Sequence, residues 1–177
     1  MDFKVITPVT VTQLGAFDDL QNGFANPVDV GIFNLSGALV GTSATLSIGN
    51  PGTSDGNGSR LVSVVPFLLL PGTYSIVASG FTNGQTFSGN TGLGGVTSFN
   101  SAGGALSLVS KGGRWDSGNG FYLPTANTGI FPGYGQPDPV FQAGTFAVAS
   151  IPDAGLTSMM LGLGMLTMGW IRRRIKP

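Results

Sequence analysis

The sequence predicts an all-β body, an antiparallel β-sandwich of Greek-key or jelly-roll type, followed by one C-terminal transmembrane helix. Three observations carry that expectation. Thirty glycines and eleven prolines in 177 residues interrupt the chain too often for long helices ahead of the tail. Between them lie seven or eight short β-like runs, with no helical period before residue 156. The last 27 residues then change character, from a Pro-Asp turn to an uncharged apolar stretch to a basic cluster. About 150 residues suffice for one core. Residues 1–150 therefore read as the β domain and 151–177 as a separate C-terminal unit.

Taken in order, residues 3–17 read as the inside of a sheet, with 9–17 the first clear strand. In 27–35, Val28, Val30 and Ile32 alternate with Asp29, Gly31 and Phe33, and 38–48 follows after Leu35-Ser36-Gly37. Those two runs are expected to pair as a hairpin. Residues 50–59 are too rich in turn formers to be anything but a loop. The strongly apolar run 60–70 is expected to be a buried strand, with Pro66 marking an edge or a bulge. Pro71-Gly72 makes a turn, and 73–81 alternates Tyr74, Ile76 and Ala78 against Ser75, Val77 and Ser79. Residues 82–104 read as a long loop with one short strand near 96–99, and 105–110 as a further strand. Glycines and aromatics mix through 111–136, and 139–150 is the last strand. No exact internal repeat points to a solenoid or propeller.

The tail carries the sharpest chemistry. Residues 156–171 form sixteen uncharged positions, about 24 Å of helix at 1.5 Å per residue. That is short against a hydrocarbon core of about 30 Å. Trp170 can sit among headgroups, and Arg172, Arg173, Arg174 and Lys176 can snorkel to lengthen the span. The basic stop at 172–176 sets that end on the cytoplasmic side. An amphipathic helix docked on a core would need a polar face, but Leu156, Met159, Leu161, Leu163, Met165 and Met168 cover all sides.

With Ile151, Pro152, Asp153, Ala154 and Gly155 ahead of that helix and the arginines behind it, the tail resembles the sorting signal of PEP-CTERM proteins. The match is to the variant whose turn reads Val-Pro-Asp-Ser-Gly, with Ile for Val and Ala for Ser. The resemblance implies export and transient insertion in the inner membrane. It also implies processing by an exosortase-type membrane enzyme, then release to, or retention at, the cell surface. The logic parallels a hydrophobic tail that is read and then removed. Residues 1–8 have no basic stretch leading into an apolar one, so no signal peptide is visible there. The expectation is a start lying further upstream, with a signal peptide and first strand ahead of Met1. The alternative is a tail-anchored protein.

A second resemblance lies in the body. Val11-Thr12-Gln13-Leu14-Gly15-Ala16-Phe17-Asp18-Asp19, Val30-Gly31-Ile32-Phe33-Asn34-Leu35-Ser36-Gly37 and Leu70-Pro71-Gly72-Thr73-Tyr74 are similar to the small β-sandwich domains found ahead of PEP-CTERM tails. Those domains often carry His before Val-Gly-Ile where this chain has Asp29, so any role tied to that His is absent. The resemblance implies fold and destination, without a mechanism.

Composition narrows the function. Only 9% of residues are charged, against roughly 25% in ordinary soluble proteins. Without 151–177 the body holds four positive and seven negative charges, a net of −3. That balance argues against a nucleic-acid partner. The chain has no Cys, His or Glu, which removes disulfides, Ser-His-Asp triads, thiol nucleophiles and the usual zinc sets. Its acids are all Asp, placed beside turn formers. A glycan hydrolase using two of them is the third reading, behind an expected non-enzyme.

Two candidate sites remain, and no cofactor beyond calcium is expected. Asp18, Asp19 and the Asn22 carbonyl offer clustered hard oxygens for Ca²⁺, though without the ligand ladder of an EF-hand; a plain solvated turn is the favoured reading of them. Trp115, Tyr122 and Tyr134 lie in a glycine-rich stretch beside Asp116, where exposed rings could stack on sugars. That gives the alternative reading, a carbohydrate-binding module retained in exopolysaccharide. Such rings also serve as core.

Overall fold

The computed structural model describes residues 1–18, 22–81, 100–109, 120–124 and 143–150. Among them nine strands run in chain order: β1 (Asp2–Val5), β2 (Val9–Phe17), β3 (Val28–Asn34), β4 (Leu39–Leu46), β5 (Thr53–Ser54), β6 (Ser59–Leu69), β7 (Gly72–Ser79), β8 (Leu106–Leu108) and β9 (Gly144–Ser150). They form two sheets, ordered β4-β3-β7-β1-β8 and β5-β6-β2-β9, and every pairing is antiparallel. The all-β expectation holds. Among the described residues no helix is long and apolar enough to cross a membrane. Residues 151–177, including the expected helix at 156–171, lie outside them, as do the strand expected near 96–99 and the start of the one expected over 139–150.

The two sheets share one core. Phe3 and Val5 of β1, Val9, Val11 and Leu14 of β2, and Val28, Val30 and Ile32 of β3 are buried in a single cluster. Burying a side chain of this size contributes roughly 1.5–3 kcal/mol each. The Phe3 ring lies 4.7 Å from that of Phe146 on β9 and 6.0 Å from that of Tyr74 on β7, so one residue joins both sheets. Gly41 of β4 has φ +71°, and a methyl group there would strike the Phe67 ring of β6. That close approach packs the β4 edge of one sheet against the β6 strand of the other.

Three expectations are corrected by the pairing. The run 3–17 is not one sheet interior but two strands in different sheets, broken at Ile6-Thr7-Pro8. Pro8 has no N–H for a ladder, and the Ile6 N–H turns to the Ala105 carbonyl at 2.7 Å. The run 60–70 is only half buried, with Val65 78% exposed. Beyond β6, among the described residues, lies only the two-residue β5, so most of the strand is an edge. Pro66 does mark a bulge: Thr12 alone stands opposite Val64, Val65 and Pro66 before the register resumes. Finally, the loop 50–59 contains β5, closed back on β6 through Thr53↔Leu61 and Ser54↔Arg60. Asp55 Oδ1 holds this turn by accepting the N–H groups of Asn57 and Ser59, at 2.7 and 2.9 Å.

The expected hairpin of 27–35 with 38–48 forms as β3 and β4. Asn34 Oδ1 accepts the N–H of Ser36 at 3.1 Å and of Ala38 at 2.9 Å, which fixes the turn. At Pro71-Gly72, Tyr74 Oη donates to the Leu70 carbonyl at 2.9 Å, tying the corner where the chain leaves one sheet for the other.

Register sorts the connections to two ends. Val5 pairs with Gly72 and Leu106, and Val9 with Leu69 and Ser150. The turns at 6–8, 35–38, 70–71 and 101–105 therefore gather at the end where β9 finishes. Asp18 and the β5–β6 turn stand at the opposite end, because Phe17 pairs with Ser59.

Candidate functional site

Asp18 is the first residue after β2 and is only 4% exposed. Its position follows from the register: Phe17 opposite Ser59 and Ala16 opposite Arg60 carry the chain past the start of β6. The Asp18 N–H donates to the Gly58 carbonyl at 2.8 Å. Its Oδ2 accepts two donors, Arg60 Nε at 2.5 Å and the Gly23 N–H at 2.8 Å. Arg60 Nη1 also reaches the Gly52 carbonyl at 3.4 Å. One carboxylate thus ties together the end of β2, the segment entering β3 and the β5–β6 turn.

This arrangement bears on the candidate calcium site. Asn22 is exposed, Asp19 lies outside the described residues, and the cation the structure sets against Asp18 is a guanidinium. A calcium ion bound through Oδ2 would stand beside that positive charge, and like charges at such range repel. Among the described residues, no three of His, Cys, Asp and Glu gather to hold a metal ion. Sequence reasoning missed Arg60. The available signal was a single arginine opening an apolar run, a position that calls for an anionic partner.

The aromatic candidate is described only in part. Trp115, Asp116 and Tyr134 lie outside the described residues, and Tyr122 is 40% exposed. Its neighbour Phe121 packs edge-on against Phe33 of β3, with ring centroids 5.3 Å apart and planes at 70°. Gly31 makes room for it, since a methyl there would lie 2.8 Å from the Phe121 ring and 2.7 Å from Leu39 Cδ1. Segment 120–124 is therefore pinned to β3 by Phe121, while Tyr122 remains 40% exposed.

The other described carboxylates act locally. Asp29 Oδ1 accepts the hydroxyl of Thr45, its cross-strand partner, at 2.5 Å. Asp55 caps its own turn, and Asp2 is buried on β1. The sorting residues Ile151, Pro152, Asp153, Ala154 and Gly155 and the basic stop at Arg172, Arg173, Arg174 and Lys176 lie outside the described residues. No family model, curated protein or solved structure matches this chain.

Proposed function

We propose that this chain is an exported, non-enzymatic cell-surface or extracellular-matrix protein, a Greek-key β-sandwich delivered by a C-terminal exosortase-type sorting signal. The observation that carries the proposal is the order of the tail: Ile151-Pro152-Asp153-Ala154-Gly155, sixteen uncharged residues, then Arg172, Arg173, Arg174 and Lys176. The end of the last described strand supports it, since β9 runs to Ser150, immediately before that motif. A cut there would remove the tail without touching a described strand. The tail inserts as a helix over 156–171, is processed by the membrane enzyme, and leaves the body at the surface. Pro152→Ala with Asp153→Ala, expressed beside an exosortase-type enzyme, should leave a full-length, membrane-bound chain where the parent is processed. Equal processing of both would overturn the proposal.

The second reading is a carbohydrate-binding module, favoured by the partly exposed Tyr122 next to an anchored Phe121. Retention on purified exopolysaccharide, lost on Trp115→Ala or Tyr122→Ala, tests it. Turnover on a glycan panel, abolished by Asp→Asn changes, would establish a hydrolase in place of both.

A further inference from the structure

We propose that the end of the domain where β9 finishes is a membrane-contacting surface, seated on lipid headgroups while the tail is inserted. This rests on the membrane reading of residues 156–171 and adds an orientation for the folded body.

Five of the exposed large apolar side chains collect at this end. Ile6, Leu35, Leu39, Leu68 and Leu70 are each 42% to 58% exposed. They come from three separate stretches of chain, and only the register brings them together. Ile6 follows Val5, which pairs with Gly72; Leu68 and Leu70 flank Leu69, which pairs with Val9; Leu35 and Leu39 bracket the β3–β4 turn, beside Asn34, which pairs with Tyr74.

Charge is uneven between the ends as well, although the most exposed apolar side chain, Ile48, stands at the opposite end. The described residues in the turns at this end (6–8, 35–38, 70–71 and 100–105) carry no charged side chain. Among the described residues Lys4, exposed on β1 next to Val5, is the nearest charged side chain, while Asp153 of the linker, three residues past Ser150, lies outside them. Asp18, Asp29 and Asp55 stand at the opposite end, Asp29 pairing with Ser79 at the far limit of β7. Asp2, the remaining described carboxylate, is buried midway, opposite Ser75. Apolar and neutral side chains fit the headgroup boundary, and an anionic surface attracts Lys4 while repelling the distant carboxylates.

Chain length supplies the constraint that selects lipid as the occupant. Ser150 pairs with Val9 at this end, and residues 151–155 are all that separate it from the first apolar residue, Leu156. Five residues fully extended reach at most about 18 Å. An inserted helix starting at Leu156 therefore holds this end, and not the acidic one, against the bilayer.

The absence of native cysteine makes the test direct, because each introduced thiol is a unique labelling site. Full-length chains bearing Ile6→Cys, Leu35→Cys or Leu70→Cys, with Ile48→Cys and Asn57→Cys as far-end controls, are labelled with bimane. They are reconstituted into phosphatidylethanolamine–phosphatidylglycerol vesicles and isolated by flotation. The first three labels should shift to the blue and be quenched by lipids carrying a headgroup nitroxide, while the two controls stay unquenched. Failure to float overturns the membrane tail and this proposal with it. Flotation with the first three labels unquenched, or with all five quenched alike, overturns the orientation alone. A blue shift without nitroxide quenching assigns the apolar end to a second copy instead of lipid.

Discussion

Asp18 and Arg60, forty-two residues apart in the chain, meet through one carboxylate oxygen, Arg60 Nε donating to Asp18 Oδ2 at 2.5 Å. The Asp18 side chain is almost fully buried and that of Arg60 is only slightly exposed. Removing one partner from such a pair leaves a charge in poor solvent, which usually costs more than the pair itself contributes.

Arg60→Met should therefore lower stability by roughly 3 kcal/mol, read as a reduced midpoint in urea. Asp18→Asn with Arg60→Met should lose less than the sum of the two single changes. Additive losses would mean that the contact is energetically idle.

If the guanidinium is the cation that Asp18 serves, calcium has little to add. Thermal midpoints of the parent protein in millimolar calcium and in excess chelator should coincide. An upward shift with calcium that vanishes in Asp18→Asn would place a metal there after all.

At the other end, Tyr74→Phe removes the hydroxyl bonded to the Leu70 carbonyl but keeps the ring beside Phe3. The expected loss is about 1 kcal/mol, the usual net value of one such bond, measured by chemical denaturation. A neutral result would leave the corner held by Pro71 and packing alone.

Gly41→Ala should be costlier than a surface change, by about 1–3 kcal/mol. Its φ of +71° disfavours a side chain, and the added methyl meets the Phe67 ring. Phe67→Ala in the same background should recover part of the loss if the ring contact is the cause. No recovery would assign the loss to the backbone.

For the aromatic segment, Tyr122→Ala should change stability by no more than about 0.5 kcal/mol, as exposed positions do. If the segment binds glycan, the same variant should lose retention on exopolysaccharide. Unchanged retention in both Tyr122→Ala and Trp115→Ala would end the carbohydrate reading.

Local features were the legible ones. The β3–β4 hairpin announced itself through alternation around Leu35-Ser36-Gly37, and Pro66 through its missing N–H. What stayed hidden depended on partners distant in sequence. Apolar composition made 60–70 look buried, yet its exposure is set by the two-residue β5 beside it. The split of 3–17 reflects a change of sheet, visible only once β1 is seen between β7 and β8. Asp18 reads as a turn residue until the pairing of β2 with β6 brings Arg60 to it. The candidate sites were legible as residue types, whereas their surroundings were not: Phe121 reaches Phe33 only because Gly31 leaves the space.

Mass spectrometry of both termini, on protein isolated from its native cells, tests the sorting proposal most directly. The expected product ends near Ile151, without the Arg172–Arg173–Arg174 cluster, and carries a processed N-terminus. An intact tail ending at Pro177, on a chain beginning at Met1, would contradict export and describe a tail-anchored membrane protein instead.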